Sequence, residues 1–213
     1  MLAESYRPRN FSEVIGQEKT VAALKYYLDR PSESGRAILL TGPSGSGKTT
    51  LAECAAEYWG IPRFSMIKIE SATCDASRLE SLASDMYIYG SGALGRKLYI
   101  IDEIHTVTGR AADRMLSLLE SLPSHVLLIG TTTETDWTDG ILLSRWVRLA
   151  LQKVSSGLVA QHLERVALAE NLPIPTDSKW AEKLCKYSPT GLNLRDLLNQ
   201  LPAALLGGAS LAA

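Results

Sequence analysis

The chain has 213 residues, of which 46% are hydrophobic and 21% charged, with a formal net charge of −1. Those proportions belong to an ordinary globular chain, large enough for one domain with an appendage or for two small ones, and they exclude long disorder. With a pI near 6.3 there is no global basic field for nucleic acid, so any such contact must come from a local patch, and no segment has the ~20 consecutive apolar residues of a membrane span.

An extended start ending at Arg7-Pro8 leads into Gln17 to Leu28, where Val21, Leu24 and Leu28 share one helical face, and Asp29-Arg30-Pro31 closes that helix. Apolar strand candidates then alternate with helical patterns. The strands read as Ala37 to Thr41, Phe64 to Ile69, Leu98 to Ile101, Val126 to Thr131 and a short Val147 to Leu151, with helices near 48–58, 76–86 and 110–120. Such alternation implies parallel strands joined by helical crossovers, an α/β chain built on a five-stranded sheet. Tyr89 to Gly95 reads as a flexible loop. Beyond Gln152 only helical patterns remain: Val159, Leu163, Val166 and Ala167 on one face, then Asp177 to Lys186, then Asn193 to Leu201. The change predicts an α/β domain over 1–152, a small all-helical domain over 153–206 and a flexible tail at 207–213.

Between the first strand and its helix, Gly42-Pro43-Ser44-Gly45-Ser46-Gly47-Lys48-Thr49 fills every fixed position of the pattern G-x-x-x-x-G-K-[ST], and Thr50 follows it. Glycines at these spacings let backbone N–H groups turn inward around phosphate oxygens, while the following helix directs its positive end at the same charge. The motif predicts that Lys48 reaches the β- and γ-phosphates and that Thr49 holds Mg²⁺. ATP and Mg²⁺ are the expected ligands.

Lys97 to Ile101 is an apolar strand that ends in Asp102 and Glu103, at the sheet edge where open α/β folds place ligand-contacting groups. Asp102 suits a metal-positioning role and Glu103 the polarisation of an attacking water. Alone, acidic residues after a strand are commonly solvated loop residues; the phosphate loop upstream gives this pair its meaning. Val126 to Gly130 ends in Thr131-Thr132-Thr133, which brings hydroxyls to the same edge, although threonine also simply suits a strand end.

Taken together, these segments resemble the AAA+ ATPases, and within them the clamp-loader branch of replication factor C small subunits and the bacterial loader's motor subunit. The resemblance covers nearly the whole chain. Tyr6-Arg7-Pro8 through Val14-Ile15-Gly16 is similar to the family's segment that wraps the adenine base. Asp102-Glu103-Ile104-His105 resembles its second nucleotide motif, and Thr133 matches the polar residue called sensor 1. Ile141-Leu142-Leu143-Ser144-Arg145 resembles the serine-arginine motif, which implies that Arg145 acts as an arginine finger in a neighbouring subunit's site. Asn193 to Leu198 resembles the lid segment with the sensor 2 arginine, implying that Arg195 meets the γ-phosphate in the same chain.

The resemblance further implies a ring with other AAA+ subunits, a sliding clamp and primer–template DNA as partners, and DNA-phosphate contact from Arg78, Arg110 and Arg114. Family loaders continue past the lid into a helical collar, whereas this sequence stops about where the lid finishes, so it reads as a minimal module. The bacterial motor subunit's zinc insertion is also missing: Cys54, Cys74 and Cys185 are dispersed, which suits a reducing, cytoplasmic setting. His105, His125 and His162 are isolated from one another and suggest no metal site. Trp137, Trp146 and Trp180 read as packing residues. Glu120, at the end of its helix, stands near the expected subunit interface or is simply a surface residue.

Overall fold

The computed structural model describes residues 1–30, 36–92, 94–134, 143–187 and 193–206. Strands β1 (Ala37–Thr41), β2 (Met66–Glu70), β3 (Lys97–Asp102), β4 (Val126–Thr132) and β5 (Val147–Ala150) form one sheet in the order β2-β3-β4-β1-β5. Every neighbouring pair is parallel. The three central strands are buried almost throughout, because helices cover both faces, and this explains their unbroken Ile, Leu and Val runs.

The helices are α1 (Leu2–Ser5), α2 (Glu18–Asp29), α3 (Lys48–Tyr58), α4 (Ala76–Met86) and α5 (Arg110–Glu120), followed after the sheet by α6 (Ser156–Ala169), α7 (Trp180–Tyr187) and α8 (Leu194–Leu206). On one face of the sheet α4 and α5 bring Leu79, Leu82 and Met115 against Leu39, Tyr99 and Leu128. On the other, α2 and α3 bring Leu24 and Leu51 against Ile38, Ile100 and Ile129. A separate core of Val159, Leu163, Trp180, Leu197 and Leu201 holds the C-terminal helices together. Trp146 and Trp180 are packing residues, as expected; Trp137 lies outside the described residues. No helix among the described residues is long and apolar enough to cross a membrane.

Several boundaries move for local reasons. The start is a helical turn rather than extended, since Leu2 and Ala3 pack on the C-terminal helices and Ala3 N donates to Asn199 Oδ1 at 3.2 Å. The second strand begins at Met66, because Arg63–Ser65 closes a short 3₁₀ turn after Pro62 and leaves Phe64 75% exposed. Asp177 turns the chain by accepting from Lys179 N at 3.0 Å, so its helix begins only at Trp180.

The register positions the chemistry. Both β1 and β3 pair with β4, with Thr41 opposite Thr132 and Ile101 opposite Gly130. The loop after β1, the acids after β3 and the threonines of β4 therefore meet at one sheet edge.

Candidate active site

Thr41 hands the chain to the glycine-rich loop, and Gly47 stands at the N-cap of α3 with a φ of 93°, a conformation that an L side chain resists. The loop folds around its own lysine. Lys48 is 7% exposed, and its Nζ donates to Gly42 O at 2.9 Å and Pro43 O at 3.1 Å. Burial pulls its ammonium below the ordinary value, while Glu103 and Asp102 push the other way.

Asp102 Oδ1 accepts from Thr49 Oγ1 at 3.0 Å and from Thr131 Oγ1 at 2.9 Å. Two oxygen donors of the type Mg²⁺ prefers, a hydroxyl and a carboxylate, thus adjoin one another beside the lysine. Glu103 has a φ of 54°, unusual for a residue with a side chain. Its backbone is held in that turn from two sides: N donates to Thr131 Oγ1 at 3.3 Å, and its carbonyl accepts from Ser71 Oγ at 2.7 Å. The Glu103 carboxylate accepts from Thr133 N and Oγ1 at 3.2 and 3.0 Å, and His105 Nδ1 stands 3.3 Å from it.

Two adjoining clefts run across this edge. The polar one, about 540 Å³, is lined by Ser44, Lys48, Thr49, Asp102, Glu103 and Thr131. The wider one, about 740 Å³, has walls from Pro8, Val14, Ile15, Ser46, Leu151 and Val154. Arg7, Gly45, Gly47, Thr50 and Arg195 border both. Arg7 is fixed where the clefts join, with Nε 3.2 Å from Thr50 Oγ1 and 3.1 Å from Glu53 Oε2, while Glu53 also pairs with Lys68 of β2. Ser46 Oγ is buried without a partner among the described residues, the kind of orphaned donor that a ligand oxygen would satisfy. An apolar slot beside a cationic, hydroxyl-lined pocket suits a nucleoside polyphosphate.

The remaining expected site residues fall in different places. Tyr6 borders the wider cleft, but its hydroxyl donates to Glu170 Oε1 at 2.8 Å, and that bond raises the phenol's pKa. Gly42 and Pro43 serve through their carbonyls. Thr133 reaches Glu103 without lining either cleft, whereas Thr131, which the sequence reading did not single out from its neighbours, holds Asp102. Glu53, Lys68 and Asn193 were also missed. Only Glu53 had a periodic signal, one helical turn beyond Thr49 and Thr50. Arg145 lines neither cleft; its Nη2 lies 2.9 Å from Glu120 Oε1 on α5. Ile141 and Leu142 lie outside the described residues. Arg78, Arg110 and Arg114 are exposed, and Arg114 pairs with Glu80 at 2.8 Å.

Comparison with known proteins places this geometry. The DNA polymerase III subunit gamma of Buchnera aphidicola is 28% identical, over 96% of this chain and 61% of that protein. The replication factor C large subunit of Methanococcus vannielii is also 28% identical, over 97% of the chain and 42% of its own length. The chain thus spans less than two thirds of the length of either curated relative, and they belong to the branch that its motifs resemble. Among solved structures, the Holliday junction branch migration motor RuvB of Thermotoga maritima superposes with a TM-score of 0.75 at 22% identity, covering 95% of this chain and 67% of that one, a likeness of fold. Residues 38–153, more than half of the sequence and the span that carries the phosphate loop, the acidic pair and Arg145, match the model of the ATPase family associated with various cellular activities. With loop, acids and sheet order agreeing, the chain belongs to the AAA family of ATPases.

Proposed function

We propose that this AAA ATPase is a clamp-loader-like module that joins other AAA+ subunits in a ring, binds ATP with Mg²⁺ and uses its turnover to load a sliding clamp on primer–template DNA in the cytoplasm. The observation that carries the proposal is the convergence of Lys48, Asp102, Glu103 and Arg195 on one cleft while Arg145 stands outside it.

In this reading Lys48 and Arg195 neutralise the phosphates, Thr49 and Asp102 hold Mg²⁺, and the metal, when bound, offsets charge developing on the phosphate oxygens. Glu103 orients the attacking water, with Thr133 setting its carboxylate. Phosphoryl transfer is driven mainly by positive charge fixed around the moving group, so a finger arginine is worth ~10³–10⁵ in rate. An arginine delivered by a neighbour makes hydrolysis report assembly. The domains divide at 152/153, the helical part acting as a lid that carries Arg195, and assembly and DNA stimulate turnover. Arg78, Arg110 and Arg114 would meet DNA phosphates, with the salt dependence such contacts bring.

The test is mass in solution with and without a non-hydrolysable ATP analogue, repeated with primer–template DNA and a sliding clamp. A nucleotide-dependent oligomer that retains clamp and primed DNA is expected. An oligomer that retains a four-way junction or a replicative helicase instead favours another DNA-remodelling role, of branch-migration or helicase-loader type, and a monomer with intact ATP binding favours a regulatory subunit with little turnover of its own.

A further inference from the structure

One polar side chain of the wider cleft has no role in the chemistry above. His162 lies on α6, is 6% exposed and borders that cleft. Its Nδ1 stands 2.9 Å from Arg165 Nη2. A guanidinium only donates, so Nδ1 must accept, and the ring proton of the neutral imidazole is left on Nε2. Burial lowers the imidazole's pKa from 6.5, and Arg165 lowers it further, which keeps the ring neutral near pH 7. Nε2 has no hydrogen-bond partner among the described residues, yet it is not among their sealed, orphaned atoms, and the space that His162 borders is the cleft.

The surroundings limit what such a donor can serve. Val14, Ile15, Leu51, Leu151 and Val154 line the same cleft as His162 and give it a largely apolar wall, the lining that a flat heteroaromatic ring fills. Of the cations suited to phosphate, Lys48 lines the polar cleft alone, and Arg7 and Arg195 stand where the two clefts join. We infer that His162 is a base-reading residue: its Nε2–H donates to a ring-nitrogen acceptor of the adenine, and the Arg165 contact fixes the tautomer that makes this possible. The inference rests on reading the cleft as a nucleotide site. A donor locked in one tautomer within an apolar slot rejects any base that presents a hydrogen or a carbon at that position, because the N–H is then left unpaired.

Displacement of a fluorescent ATP analogue by ATP, 1-deaza-ATP, 3-deaza-ATP and 7-deaza-ATP tests this, using wild type, His162→Leu and His162→Gln. Wild type should bind one of the deaza analogues about tenfold more weakly than ATP. His162→Leu should bind ATP about tenfold more weakly than wild type and lose the discrimination against that analogue. His162→Gln, which keeps an N–H donor, should recover part of both. Equal binding of all four nucleotides by wild type overturns the inference, as does discrimination that persists in His162→Leu; the wild-type series is decisive even where a variant misfolds. Inorganic tripolyphosphate separates the two readings. If it competes and ATP binds but the analogue pattern is flat, only the role of His162 fails; if no nucleotide binds, the site reading fails with it.

Discussion

The carboxamide of Asn193 rests on Gly45: a methyl group built at residue 45 would stand 2.4 Å from Asn193 Oδ1. The same oxygen accepts from Arg195 N at 3.2 Å, so one side chain caps the first turn of α8 and touches the phosphate loop. Gly45 also has a φ of +74°, which costs an L residue about 1–2 kcal/mol. Gly45→Ala is expected to lower stability by at least about 1 kcal/mol and to weaken ATP binding about tenfold. Adding Asn193→Ala should relieve the steric part and leave the backbone strain. Thermal melts with ATP titrations check both, and unchanged affinity in Gly45→Ala would separate the Asn193 contact from nucleotide binding.

Arg145 and Glu120 are about half exposed, and surface pairs of this kind are worth less than about 1 kcal/mol. Glu120→Gln should therefore leave the melting temperature nearly unchanged. Arg145→Ala should slow hydrolysis by up to ~10³ in assembled protein and leave the rate of isolated monomers alone. Hydrolysis rates measured above and below the assembly concentration make the comparison; an equal loss in monomers would remove the finger role.

Thr131 joins the two acids, donating to Asp102 and accepting from Glu103 N. Thr131→Val keeps the shape and deletes both bonds, each worth about 1 kcal/mol, more where a charge is involved. The expected result is a Mg²⁺ requirement raised about tenfold, with ATP binding in the absence of metal little changed. Lys48→Ala should abolish nucleotide binding, and Glu103→Gln should hold ATP without turnover. A magnesium titration of the ATPase rate, beside direct ATP binding, tells the three apart.

Away from the cleft, Asp85 accepts from Tyr99 Oη and Lys97 Nζ. The Tyr99 hydrogen bond holds its carboxyl below the ordinary 3.8, desolvation opposes that, and Lys97 adds to it. The native value lies below the unfolded one, so the unfolded chain takes up this proton first as pH falls. The stabilisation is fully present above 3.8 and disappears as pH drops through the native value. Asp85→Asn should therefore be less stable than wild type at pH 7, with the gap narrowing as pH falls below 3.8 and through the native value, as read by urea unfolding along that pH series.

The five strands and the phosphate loop were legible because each rests on local chemistry: apolar runs buried on both faces, and glycines at positive φ ahead of a lysine. Asp102 and Glu103 were legible for the same reason, at the end of such a run. Thr131 and Asn193 were not, since their importance lies in partners 29 and 148 residues away. A threonine at a strand end looks the same whether it holds an acid or merely suits the strand. The short helix at Leu2–Ser5 is likewise a product of packing on α8, which nothing in its own few residues predicts.

Tyr6 and Arg7 are neighbours in the chain but are fastened to different bodies, one to Glu170 at the end of α6 and the other to Glu53 of α3. A single peptide unit thus ties the C-terminal helices to the helix that follows the phosphate loop, and both of its residues stand in the wall of the wider cleft, so a substitution at either one reaches the slot and a helix packed beside it together.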